Sequence, residues 1–271
     1  MAGAKHFSAY WKVFTMSARE DRANPVRIAG SIVLGVVRMI LLAAIYKVAY
    51  EAASTDSPSL PYANALWSIG LYFALIIGLG MRNVFKLVDR EVKSGAVEAA
   101  LIKPLDWRMT KVCVLLGKNV LETLLLIVAF GVTLAILVGI PDTSFMTPGF
   151  VLGYLLIMVL AIVASSALFV AVGLTAFWLN DAQPTFRIVD KFILIFGGAF
   201  VPIALLPQVV QDVVRYSPFG MYAASTQLFN PGLTDYLLPT IASSLVWTIL
   251  TVLFCNWVWR RAEQRIEING G

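Results

Sequence analysis

Charge, histidine and cysteine are all scarce in this chain. Only 14% of its 271 residues are charged, against roughly 25% in a soluble domain. With 59% hydrophobic residues and a mean hydropathy of +0.80, there is too little polar surface to coat a water-soluble globule. One histidine, His6, and two distant cysteines, Cys113 and Cys255, with no C-x-x-C, leave no metal-site pattern. There is no G-x-x-x-x-G-K-[ST]: Gly117-Lys118 has neither the upstream glycine nor a following Ser or Thr. No Ser/His pair, H-E-x-x-H or paired aspartates fall within the apolar runs, so an intramembrane enzyme has no visible machinery. No cofactor is expected on the chain itself. Residues 1–27 hold no apolar core of signal-peptide length.

What is present is a series of long apolar runs. In lipid, backbone groups must be satisfied internally, which leaves helices or a closed barrel. Runs near 20 residues, rather than ten-residue alternating segments, select helices. Six windows are expected, at 28–50, 62–81, 112–140, 149–179, 192–210 and 236–259. Ahead of them, Phe7, Tyr10, Trp11 and Phe14 recur at helical spacing among Lys5, Lys12, Arg19 and Arg22. Residues 1–26 therefore read as an interfacial helix, with a mobile tail as the alternative. The net charge of +5 lies beside the apolar runs, in 1–26, 82–111, 180–191 and the C-terminal tail, while 51–61, 141–148 and 211–235 are acidic or nearly neutral. Six crossings put every basic segment on one face, as the positive-inside rule requires, with both termini cytosolic and no role for nucleic acid. The cysteines then lie near cytosolic ends and are expected to be reduced.

The polar stretch 82–111 carries seven Lys/Arg and four Asp/Glu between two such runs. Val84, Leu87, Val88 and Val92 repeat at three- and four-residue spacing, with Lys86, Arg90 and Lys93 opposite. Ser94-Gly95 marks a break, a second short helix covers about 96–102, and Pro104 stops it before a return into the membrane at Trp107. On composition alone this is either a docking element or a solvated connector.

Two further features stand out. Gly197-Gly198, Pro202 and Pro207 within one apolar run forbid an uninterrupted straight helix, leaving a re-entrant break or a proline kink followed by an external loop. Arg38 and Glu122 each lie about ten residues inside an expected span. A buried charge costs roughly 2.5–3.5 kcal/mol unless paired, so an Arg38–Glu122 pair is expected, the alternative being a third span that starts near Leu121 with Glu122 at the interface. Gly149 and Gly153 form a G-x-x-x-G at the edge of the fourth span.

Ser94-Gly95-Ala96-Val97-Glu98 followed by Leu101-Ile102-Lys103-Pro104-Leu105 resembles the E-[IV]-x-x-G-x-[LV]-E-x-x-L-x-x-P-L pattern of ABC-2 type transporter permeases, matched here at Glu91, Val92, Gly95, Val97, Glu98, Leu101, Pro104 and Leu105. A second match, Gly198 to Pro202, Leu206-Pro207 and Tyr216 to Phe219, is similar to the family's stretch before its last span. The resemblance covers nearly the whole chain and implies a single all-α membrane domain over 1–271. That domain would have six transmembrane helices, an N-terminal interfacial helix (1–26), a cytosolic coupling loop (82–111) and an outer re-entrant region (192–220). It further implies a permease subunit of a bacterial inner-membrane ABC exporter, paired with an identical or related permease and driven by two copies of a soluble ATPase that bind ATP and Mg. Arg90, Glu91, Lys93, Gly95, Glu98, Leu101, Lys103 and Pro104 would then meet the ATPase, and Gly198, Pro202, Pro207 and Pro218 would form the outer break. An ion-coupled secondary transporter is the other reading. It needs intramembrane acidic groups, of which only Glu122 qualifies. Substrate identity is not legible.

Overall fold

The structure, a computed structural model, describes residues 2–21, 25–52, 60–101, 105–199, 203 and 206–269. It is all-α, 85% helical, with no strand among the described residues. The helices are α1 (Ala2–Asp21), α2 (Pro25–Ala52), α3 (Tyr62–Leu79), α4 (Arg82–Lys93), α5 (Ala96–Leu101), α6 (Trp107–Val138), α7 (Pro148–Leu174), α8 (Gln183–Phe196), α9 (Gln208–Tyr216), α10 (Gly220–Ser225) and α11 (Leu237–Asn269). Among the described residues four stretches are long and apolar enough to cross a membrane: Pro25–Val48, Trp107–Val138, Pro148–Phe177 and Pro231–Arg265. The apolar part of α3, Tyr62–Ile76, is shorter.

Local chemistry explains where the helices start and stop. Asp106 caps α6 by accepting the N–H groups of Arg108 (2.8 Å) and Met109 (3.2 Å), so α6 begins five residues ahead of the apolar window. Thr147 caps α7 through the N–H of Phe150 (3.2 Å), with Pro148 at the first turn. A fifth apolar window at 192–210 does not form one helix. The element starts earlier, at Gln183 with Pro184 in its first turn, and ends at Phe196.

Among the described residues two large cores hold the bundle, beside a small third cluster of Ile203, Val214 and Ala223. One joins α2, α3 and α6 through Met39, Tyr46, Leu66, Ile69, Leu126, Phe130 and Leu134. The other joins α4, α7, α10 and α11 through Phe85, Val88, Ile157, Phe169, Met221 and Val258. Helix α1 lies along the first half of α6, with Lys118 near Glu20 (3.5 Å) and Phe7, Trp11 and Met16 exposed. Of the G-x-x-x-G pair, Gly153 abuts Leu237 at the start of α11, whereas Gly149 has only the nearby Thr147.

Gly117 sets the approach of α1, because a Cβ there would land on the carbonyl oxygen of Phe14. Gly117→Ala is expected to push α1 off α6 at a cost of about 1–3 kcal/mol, seen as a lower melting temperature and faster proteolysis within α1. Gly30→Ala, whose Cβ would meet nothing within 4 Å, should leave both unchanged.

Candidate functional site

The α4–α5 hairpin is built as the hydrophobic spacing predicts. Val84, Phe85 and Val88 are buried against the end of α7, where Gly173 leaves room: a Cβ there would sit 2.6 Å from Val88 Cγ1. Phe85 stacks on Phe186 of α8, with ring centroids 4.4 Å apart. The chain then turns at Ser94-Gly95. Ser94 N–H donates to the carbonyl of Arg90 (3.0 Å), Gly95 N–H to that of Val92 (3.2 Å), and Glu98 N–H to that of Gly95 (3.1 Å). Gly95 sits at φ 72° with open space where a Cβ would be, so the turn needs glycine for its backbone and presents a bare surface. Val97 is buried and anchors α5.

Lys86, Arg90, Lys93, Gly95 and Glu98 are exposed on this hairpin. Leu101 ends α5, its side chain lying outside the described residues, as do Lys103 and Pro104 entirely. Glu91 is turned inward. Its carboxylate accepts from Trp107 Nε1 (2.8 Å) and Lys111 Nζ (2.6 Å), so it clamps α4 to α6 and is not free to meet another protein.

Further polar links tie the hairpin to the bundle. Arg82 Nε, at the start of α4, lies 2.6 Å from the buried Asp190 of α8. Lys93 binds Asp89 (3.0 Å) one turn back and approaches Asp181 (3.8 Å) ahead of α8. Arg108 bonds Asp106 (2.7 Å) and Asn256 of α11 (2.7 Å), while Trp107 stacks on Trp259 at 5.6 Å. Asp106 N–H also donates to the hydroxyl of Tyr10 on α1 (3.0 Å).

The expected Arg38–Glu122 pair is replaced by another. Glu122, 5% exposed, is bound by Arg27 Nη1 at 2.7 Å. Arg27 is in the first turn of α2, about 16 Å along the axis from Arg38 at 1.5 Å per residue. Glu122 is thus level with the first turn of α2 and not with Arg38. Arg38 lies instead over the ring of Phe73, 6.0 Å from its centroid.

The break after α8 is a helix stop, not a kink. Gly198, at φ 74°, donates to the carbonyl of Ile195 (3.3 Å), and Ala199 donates to that of Leu194 (3.1 Å). This pair of bonds is the Schellman arrangement that closes helices with a left-handed glycine. Thr226 Oγ1 donates to the carbonyl of Gly197 (3.2 Å), joining the stop to α10. Pro207 precedes α9 directly, Pro218 lies in the turn between α9 and α10, and Pro202 falls outside the described residues.

A family profile described as ABC-2 family transporter protein matches residues 62–270. The chain belongs to this family. No curated protein matches it. As an ABC-2 protein it is a multi-pass membrane transport permease, a component of transport and not itself a catalyst. Among the described residues no group of three or more His, Cys, Asp or Glu is placed to hold a metal ion. The ion pairs Arg27–Glu122 and Arg82–Asp190 were not anticipated. Arg82 and Asp190 carry one sequence signal, opposite charges just outside the second and fifth expected spans, and Arg27–Glu122 carries none.

Partial burial pushes the Asp106 carboxyl up, but the Arg108 guanidinium and the N–H groups of Met109 and Arg108 outweigh it and hold its pKa below the usual range. A depressed carboxylate contributes stability above its unfolded pKa, and that contribution disappears as pH falls through the folded value. Asp106→Ala is expected to cost about 1 kcal/mol near neutral pH. The gap in melting temperature from wild type should close well below pH ~4.

Proposed function

We propose that this permease is the membrane subunit of an ABC exporter in a bacterial inner membrane. It crosses six times with both termini cytosolic, pairs with a second permease, identical or related, and is driven by two copies of a separate ATPase. The observation that carries the reading is the α4–α5 hairpin. Its apolar face is packed on α7 and α8, and its bare turn at Gly95 leaves Arg90 and Glu98 available, with Lys93 exposed but bound to Asp89. Proteins of this family generally work with a separate ATPase subunit, and an amphipathic hairpin presented this way is the element such a subunit would grip.

In this reading α1 is the interfacial helix bracing the contact, and residues 192–220, from the end of α8 through α9, form the outer re-entrant region. The two crossings not counted among the four long spans are α3 and the α8–α10 region. Closure of the ATPase pair displaces α4, and rigid linkage carries the displacement inward. Arg82–Asp190 transmits it to α8, and Glu91 with Lys111 and Trp107 transmits it to α6. An ion-coupled carrier would need an intramembrane carboxylate free to change charge. Each buried carboxylate among the described residues has a cation: Asp89 with Lys93, Glu122 with Arg27, and Asp190 with Arg82.

Co-expression with the candidate ATPase supplies the test. Gly95→Trp and Glu98→Arg should abolish its co-purification while the permease stays in the membrane fraction; retained binding by both variants would defeat the proposal. Arg82→Ala should still bind the ATPase yet lose most ATP-driven transport in proteoliposomes. The Arg82→Asp, Asp190→Arg double exchange should recover part of it.

A further inference from the structure

Arg38 occupies an anomalous place. It is near the middle of the apolar stretch Pro25–Val48 of α2. It lies about 16 Å beyond Arg27, well inside a hydrocarbon layer roughly 30 Å thick. Its side chain is exposed, and its guanidinium lies 6.0 Å from the centroid of the Phe73 ring. No carboxylate meets it among the described residues. Around it, on the same helical face, stand Leu34, Leu41 and Ile45, 72%, 60% and 61% exposed. A guanidinium facing lipid tails at this depth costs several kcal/mol, and a side chain of this length does not reach either surface from the midplane. Arginines in this situation face water or a partner of opposite charge.

We propose that the Leu34–Arg38–Leu41 face of α2 lines the transport path and binds an amphiphile carrying a phosphate-type acidic group. The guanidinium takes the acidic group through charge-assisted hydrogen bonds, and the flanking aliphatic side chains take the apolar body. A single cation set in an aliphatic stripe suits a molecule with those two parts. It does not suit a small hydrophilic anion, which would find no second donor there. The inference rests on the transport reading, but its test needs neither ATP nor knowledge of the natural cargo.

The test uses the full-length permease in membrane vesicles, with Cys113 and Cys255 replaced by serine and single cysteines introduced. Leu41→Cys, with Arg38 intact, should react with a cationic, membrane-impermeant methanethiosulfonate about tenfold faster than Val132→Cys on the exposed face of α6. Dodecyl phosphate should slow Leu41→Cys labelling about fivefold. Dodecylphosphocholine, of equal chain length, and inorganic phosphate alone should not. Arg38→Gln should remove this protection and Arg38→Lys should keep it. Labelling no faster than at Val132→Cys would show that lipid covers the face. An Arg38→Cys disulfide between two copies without labelling would show that it is a buried subunit contact. Protection persisting in Arg38→Gln would show that the arginine does not bind the probe. Each of these three results overturns the proposal. Failure of the wild-type permease to associate with any ATPase, with the labelling pattern intact, would instead count against the transport reading alone.

Discussion

A belt of paired charges and polar groups fixes the register of the whole bundle. Arg27 on α2 holds Glu122 on α6, Asn119 Nδ2 donates to the carbonyl of Leu79 at the end of α3 (3.1 Å), and Arg82 on α4 holds Asp190 on α8. Moving an ion into a low-dielectric interior costs several kcal/mol unless its partner comes with it. Each helix is therefore pinned at the depth where its charge meets another. Helices α2, α4, α6 and α8 cannot slide past their partners without stranding a charge, and α3, which carries none, is held to α6 by the Asn119 amide.

On one side of the belt lie α1, the α4–α5 hairpin and the first half of α6. There the contacts are mixed: stacked tryptophans, a capped helix start, and Glu91 shared between Trp107 and Lys111. On the other side, α2, α3 and the rest of α6 pack through Met39, Leu66, Phe130 and Leu134. The length of α6, 32 residues, serves both sides. About 22 Å of it, at 1.5 Å per residue, precedes Glu122, and α1 covers much of that length. The hairpin is tied directly to α6, α7 and α8 through Glu91, Val88 and Arg82, which is the mechanical property the proposed coupling requires.

The stop at Gly198 adds the complementary feature. A continuous helix through this region would bury its backbone bonds in lipid and leave no irregular segment. The Schellman closure instead ends α8 early and satisfies its last carbonyls locally, while Thr226 covers the carbonyl of Gly197. Helix α10, itself packed on α7, lies against this closed end of α8.

The sequence by itself determined the solvent, the fold class and the hairpin. Apolar runs too long for strands and too poor in charge for water leave membrane helices. The spacing of Val84, Val88 and Val92 around a left-handed Gly95 is local and survives any tertiary context. Tertiary structure decided which charges meet. Arg38 and Glu122 have matching signs for a pair and were equally deep when counted from the ends of their apolar runs. Yet in the folded bundle α6 starts at Trp107, α1 packs along its first half, and Glu122 meets Arg27 in the first turn of α2. Depth within a bundle is a property of how helices slide and tilt against one another, and a linear run of residues carries no record of it.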